Sequence, residues 1–125
     1  MHTKQMRINV GGFMFESTFK TLSKSPILKE MIQKTAQDDV LFVDRDGGAF
    51  SFVLDFLRND ATVFHIDSRE YIEFLMREAT YYDVPLMKAQ LQMQLTEKQT
   101  GLSEICEELR TIRLLLQEVA EARND

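Results

Sequence analysis

Three charged residues in a row, Asp44, Arg45 and Asp46, lead into a glycine pair in the stretch LFVDRDGGAFSFVLDFLRND. Two carboxylates around a guanidinium have the chemistry of an acid–base pair, of a divalent-cation site, or of an ion-paired turn. Side chains alternate across an extended backbone, so three consecutive residues do not converge on one substrate or metal. Asp46 also stands where the N-cap of a following helix belongs. Arg45 between carboxylates reads as an ion pair, either within the chain or between chains.

The remaining reactive residues are scattered. His2 and His65 are far apart, and no cysteine–histidine spacing supplies the four close ligands of a structural zinc site. Cys106 has Glu104, Glu107 and Glu108 as neighbours, the wrong sign of charge to favour a thiolate nucleophile. Gly11-Gly12 lacks the Lys-Ser/Thr that a phosphate loop requires, so a hairpin turn is expected there. Neither an enzyme nor a bound cofactor is expected.

The elements that position these residues follow from local pattern. MRINVGGFMFES predicts two strands around the glycine pair, with Ile8 and Val10 on one side and Phe13 and Phe15 sharing a face. Ser25-Pro26 is an N-cap followed by proline at the first helical position, with Ile27, Leu28, Met31 and Ile32 as the apolar stripe. VLFVD, from Val40, predicts a short third strand, apolar enough to be buried. Next, Phe50, Val53, Leu54 and Leu57 share one helical face, widened by Phe52 and Phe56. Asp67 with Glu70 predicts a capping box for another helix, buried through Ile72, Leu75, Met76, Ala79 and Tyr82. Asp83 and Pro85 predict the cap and start of a further helix carrying Leu86, Met87 and Leu91.

The tail has a different period. Leu102, Ile105, Leu109, Ile112, Leu116 and Val119 are separated by alternating gaps of three and four residues, a heptad seam. Leucine takes the a positions, and Ile, Ile and Val the d positions, a choice that disfavours two-stranded parallel coils. Glu108 and Arg113 fall at g and the next e. Leu114 and Leu115 thicken the stripe, and Thr100-Gly101 is the expected hinge.

With 125 residues, 44% hydrophobic and 28% charged, the chain has the composition of one ordinary globular domain. A net charge of −5 argues against nucleic acid or an anionic membrane as main partner. No apolar run reaches a bilayer's width, and MHTKQM lacks the apolar core of a secretory signal. A single cysteine fits a reducing compartment, so cytoplasm or nucleus is expected.

In order and spacing, INVGG then F, TL before SP, FVDRDGGAF, VLDFLR and EATYYDV resemble the potassium-channel tetramerisation family. This is the T1-like branch of the BTB/POZ fold, whose soluble members are the KCTD proteins; DRDG followed by FLR is similar to that soluble branch. The resemblance covers about residues 6 to 92. It implies an α/β (α+β) fold: a short three-stranded sheet with surrounding helices over 6–95, followed by the coiled-coil-like helix over 101–123. It further implies that copies assemble through polar side faces into a homo-tetramer or pentamer, with Asp44, Arg45, Asp46 and Arg58 as interface candidates beside the tail seam. Many soluble members recruit cullin-3 and hold a protein cargo for ubiquitination, and surface apolar residues near Phe64 to Ile66, or at the outer helices, are the candidates to face cullin-3. Asn59-Asp60 replaces the family's usual turn glycine, with Asn59, which tolerates the left-handed conformation, expected to keep the turn; intersubunit zinc ligands are missing, and a coiled-coil-like tail stands where a cargo-holding domain is usual.

Three functions follow as expectations: an oligomeric scaffold acting as a cullin-3 ligase adaptor, an oligomerisation module regulating channel or receptor assemblies, and, least supported, an enzyme using Asp44 to Asp46. On the first two, Arg45→Ala loosens assembly and Asp46→Ala weakens a helix cap.

Overall fold

Gly11 and Gly12 take φ of +57° and +99°, the left-handed conformations that a two-residue hairpin turn demands. They join β1 (Gln5–Val10) to β2 (Phe13–Thr18) in antiparallel register, Val10 opposite Phe13 and Gln5 opposite Thr18. β3 (Leu41–Val43) adds to the other side of β1 in parallel, giving the order β2-β1-β3. The computed structural model describes residues 4–36, 39–61, 65–100 and 102–123, with backbone alone at 99, 100, 102–107 and 123. The expected hinge at Gly101 and the side chains of His2, Phe64, Leu102, Ile105 and Cys106 therefore lie outside the described residues.

Helices cover one face of the sheet. Ile8, Val10 and Val43 point into that core, and Phe15 packs edge-on against Phe50 with ring centroids 5.1 Å apart. Phe13 shares the face but sits at its end and is mostly exposed. The third strand is not buried as expected. As an edge strand it pairs on one side only, and alternation turns Phe42, 60% exposed, to the uncovered face.

A short helix that the sequence did not announce, α1 (Phe19–Leu22), is capped by Thr18, whose Oγ1 accepts from the Thr21 amide at 3.2 Å. α2 (Pro26–Lys34) starts as predicted, and Ser25 also ties it to the body. Its hydroxyl accepts from Leu28 N at 3.2 Å and donates to the Tyr82 carbonyl at 2.6 Å. α3 (Gly47–Asn59) lies at the centre, burying Phe50, Val53, Leu54, Phe56 and Leu57.

Three helix ends differ from expectation. α3 closes on Asp60, not Asn59, in the left-handed region at φ +56°, and Lys24 Nζ seals it by donating to the Leu57 carbonyl at 2.8 Å. α4 (Arg69–Tyr81) is capped by Ser68, which accepts from Tyr71 N at 3.2 Å, one residue after the expected Asp67. Glu70 then reaches the Ser68 hydroxyl at 3.3 Å instead of forming a capping box with Asp67. Asp83 ends α4 rather than opening the next helix. At φ +55° it makes a Schellman turn, with Val84 N bonded to Ala79 O at 2.9 Å and Asp83 N to Thr80 O at 3.1 Å. α5 (Pro85–Thr100) buries Met87 and Leu91 but leaves Leu86 exposed, and α6 (Leu102–Arg123) is the final helix.

Candidate assembly surfaces

Asp44, Arg45 and Asp46 project in three directions. Asp44, just past β3, is exposed and pairs with no described residue. Asp46 caps α3, its carboxylate accepting from the Ala49 amide at 2.8 Å. Arg45 turns inward to Glu78 on α4, with Nε donating to Oε2 at 2.9 Å and Nη2 donating to the same oxygen. Its guanidinium also lies 4.3 Å from the centroid of the Tyr81 ring. Such divergence leaves no common point at which the three could act on one substrate.

The turn is held close to the hairpin by two glycines. A Cβ on Gly11 would run into the Arg45 carbonyl, and one on Gly47 into the Phe13 ring and the Val10 carbonyl. The hairpin tip and the start of α3 therefore approach at a distance only glycine permits.

Glu78 is the functional group the sequence reading passed over. It is 3% exposed, and among the described residues Arg45 alone balances its charge. A buried carboxylate robbed of its cation is strongly destabilising, so Arg45 holds α4 to the β3–α3 turn. The signal was available: Glu78 lies three residues after Leu75 and four before Tyr82, both on the buried stripe. Tyr82 packs beside it, tilted on Phe50 at 5.3 Å and edge-on to Tyr81 at 4.9 Å. Its hydroxyl is buried and meets no hydrogen-bond partner among the described residues. Burial, then the Glu78 carboxylate, push this phenol far above its ordinary range.

Arg58, the fourth candidate on the globular part, is exposed and donates from Nη2 to the Glu16 carbonyl at 2.8 Å, tying the end of α3 to β2. Ile66 is buried, its amide bonded to Gln94 Oε1 at 3.1 Å, so it does not offer the outward face expected of it. On α6, Leu109, Ile112, Leu114, Leu115, Leu116 and Val119 are all exposed, and no described part of the chain covers them. Among the described residues no group of His, Cys, Asp or Glu gathers to hold a metal ion, and no described helix is long and apolar enough to cross a membrane.

A family profile described as BTB/POZ domain matches residues 6–92. The chain belongs to the BTB/POZ family. The hairpin, the edge strand, the Asp46-capped central helix and the Glu78-anchored α4 are thus this chain's version of the potassium-channel tetramerisation branch of that fold. The potassium channel regulatory protein of Homo sapiens is 33% identical over 105 residues, covering 78% of this BTB/POZ chain and 38% of its own length. The Mus musculus protein of the same name is 34% identical over 105 residues, at 78% and 39% coverage. A Mus musculus protein named BTB/POZ domain-containing adapter for CUL3-mediated RhoA degradation protein 2 is 30% identical over 109 residues, at 82% and 34% coverage. The chain therefore spans well under half the length of these relatives.

Proposed function

We propose that this BTB/POZ chain is a self-associating, non-enzymatic scaffold that works in the cytoplasm or nucleus as a substrate adaptor for a cullin-3 ubiquitin ligase. The observation that carries self-association is the uncovered aliphatic seam of α6. Leu109, Ile112, Leu116 and Val119 recur at heptad spacing with more than half of each side chain in water. Aliphatic side chains held in water at that period favour burial against identical helices. The domain spanning 6–95 forms the ring, with Asp44, Asp46 and Arg58 at its exposed rim, and the helix spanning 101–123 gathers the copies. The cullin-3 assignment draws on the relative whose name describes it as an adapter for CUL3-mediated degradation.

A second reading draws on the relatives named potassium channel regulatory protein: the same assembly sets the stoichiometry of a channel or receptor without any ubiquitin role. Native mass spectrometry of the full chain is expected to report a tetramer or pentamer, and a chain that stays single at micromolar concentration overturns both readings. Pull-down with the purified N-terminal domain of cullin-3 separates them, since failure to bind favours the channel-regulating role.

A further inference from the structure

The core face of β1 outruns the helices that cover it. Residues alternate across a strand, so Met6 and Lys4 continue the face on which Ile8 and Val10 point inward. Lys4 extends the pairing of the strand, its carbonyl accepting from the Phe19 amide at 3.1 Å. Ile8 is fully buried, Met6 half-buried and Lys4 exposed, so the cover thins step by step along this face. On β3, Leu41 stands opposite Ile8 and is also half-buried. The uncovered end opens into a cavity of about 270 Å³, walled by Met6, Phe19, Ile32 and Leu41.

The charged groups of this cavity stand at its mouth. Lys4 and Asp39 both line it and are exposed. Neither pairs with the other or with any other described residue. Thr35 lines it too, and its hydroxyl proton is committed to the Met31 carbonyl at 2.7 Å, which leaves the oxygen's lone pairs to accept. Cavities that stay empty are apolar throughout. This one adds an ammonium, a carboxylate and a hydroxyl acceptor to an apolar interior, the composition of a ligand site. Its volume falls just under the range of roughly 300–1,000 Å³ that holds drug-sized ligands, so its ligand is small.

We propose that this cavity binds a free apolar α-amino acid of the size of leucine, methionine or phenylalanine. The ligand's side chain enters among Met6, Phe19, Ile32 and Leu41, its carboxylate meets Lys4, and its ammonium meets Asp39 and the Thr35 oxygen. A free amino acid carries both charges beside one apolar group, which matches a cation and a carboxylate left unpaired at the mouth of an apolar space. The walls come from β1, β3, α1 and α2, so a bound side chain closes the open end of the core. A ligand held by the folded chain alone stabilises it as its concentration rises. The site uses neither the α6 seam nor the exposed rim, so it stands apart from the self-association reading.

Titration of the full chain with L-leucine, L-methionine and L-phenylalanine tests the site, followed through the Met6 methyl signal by NMR. At least one of the three is expected to shift that signal saturably at millimolar concentration or below, and to raise the thermal midpoint. No shift with any of them overturns the proposal. Lys4→Met and Asp39→Asn, both at exposed side chains, are each expected to weaken binding by about tenfold, because each removes a charge-assisted hydrogen bond. Affinities equal to that of the unaltered chain overturn the assignment. Ala36→Trp, on the same lining, is expected to fill the space and abolish binding, and retained binding places the ligand elsewhere. Analogues of the amino acid that binds separate the other occupants: its deaminated acid, its decarboxylated amine and its N-acetyl amide. Each is expected to bind about tenfold more weakly or worse. An acid or amine that binds as well as the amino acid overturns the proposal in favour of a singly charged ligand. An N-acetyl amide that does so overturns it in favour of an apolar side chain on a protein partner.

Discussion

Glu78, a carboxylate, is 3% exposed in the middle of α4, whereas Leu116, an aliphatic side chain, is 65% exposed on α6. Each departs from the usual division of polar outside and apolar inside, and the departures differ in kind. The charge of Glu78 is answered within the same chain by Arg45, so this buried charge is balanced by folding alone. The exposed leucines of α6 are answered by no described residue of the chain. One departure is completed by folding; the other is left to be completed by association.

Disrupting the buried pair should produce the largest change. Arg45→Ala strands the Glu78 carboxylate among apolar neighbours. Loss of a buried pair costs about 3–5 kcal/mol, and the partial exposure of Arg45 reduces this to about 2–4 kcal/mol, measurable by urea denaturation. The loss falls on the fold itself, so the loosened assembly expected of this variant would follow from unfolding. Asp46→Ala removes the cap of the central helix and should cost about 0.5–2 kcal/mol in the same assay.

Tyr82→Phe sharpens the picture of the buried cluster. Its hydroxyl is buried without a described partner, so deletion should leave stability at neutral pH unchanged or raise it by up to about 1 kcal/mol. The pH dependence has a definite sign. An ordinary phenol ionises near pH 10.0, and Tyr82 is held protonated well beyond that in the folded chain. Its contribution is full below the unfolded value and is lost as pH rises above it, because only the unfolded phenol gains by ionising. Denaturation midpoints should decline above about pH 10 in the unaltered chain, and less steeply in Tyr82→Phe.

On α6 the expected stability effect is the smallest. Ile112→Asp with Leu116→Asp should move the denaturation midpoint of the globular part by less than about 0.5 kcal/mol, since neither side chain touches its core. The same variant should lower the copy number seen by native mass spectrometry. A large loss of fold stability together with an unchanged copy number would break the contrast between the two regions.

Local features were legible in advance. The Gly11-Gly12 hairpin, the Ser25-Pro26 helix start, the Asp46 cap and the apolar face of α3 each depend on residues a few positions apart. The family match over residues 6–92 falls on the motifs that those elements carry. Misjudged features depend on what lies across the chain. Asp83 looked like a helix start because an acid before proline often is one, yet the turn leaving α4 needed a left-handed residue there. Phe42 looked buried because its strand is apolar, yet only the order of strands decides which one forms the edge.

The spacing of polar and apolar residues, by itself, determined the short strands, the capped helices and a final helix with an unmatched seam, because backbone geometry converts sequence period directly into faces. Which charge would be buried, which strand would stand at the edge and which sheet face would stay open were decided only by tertiary packing. The first requires Arg45 and Glu78, 33 positions apart, to meet, and the others follow from the strand order β2-β1-β3; no local preference encodes either.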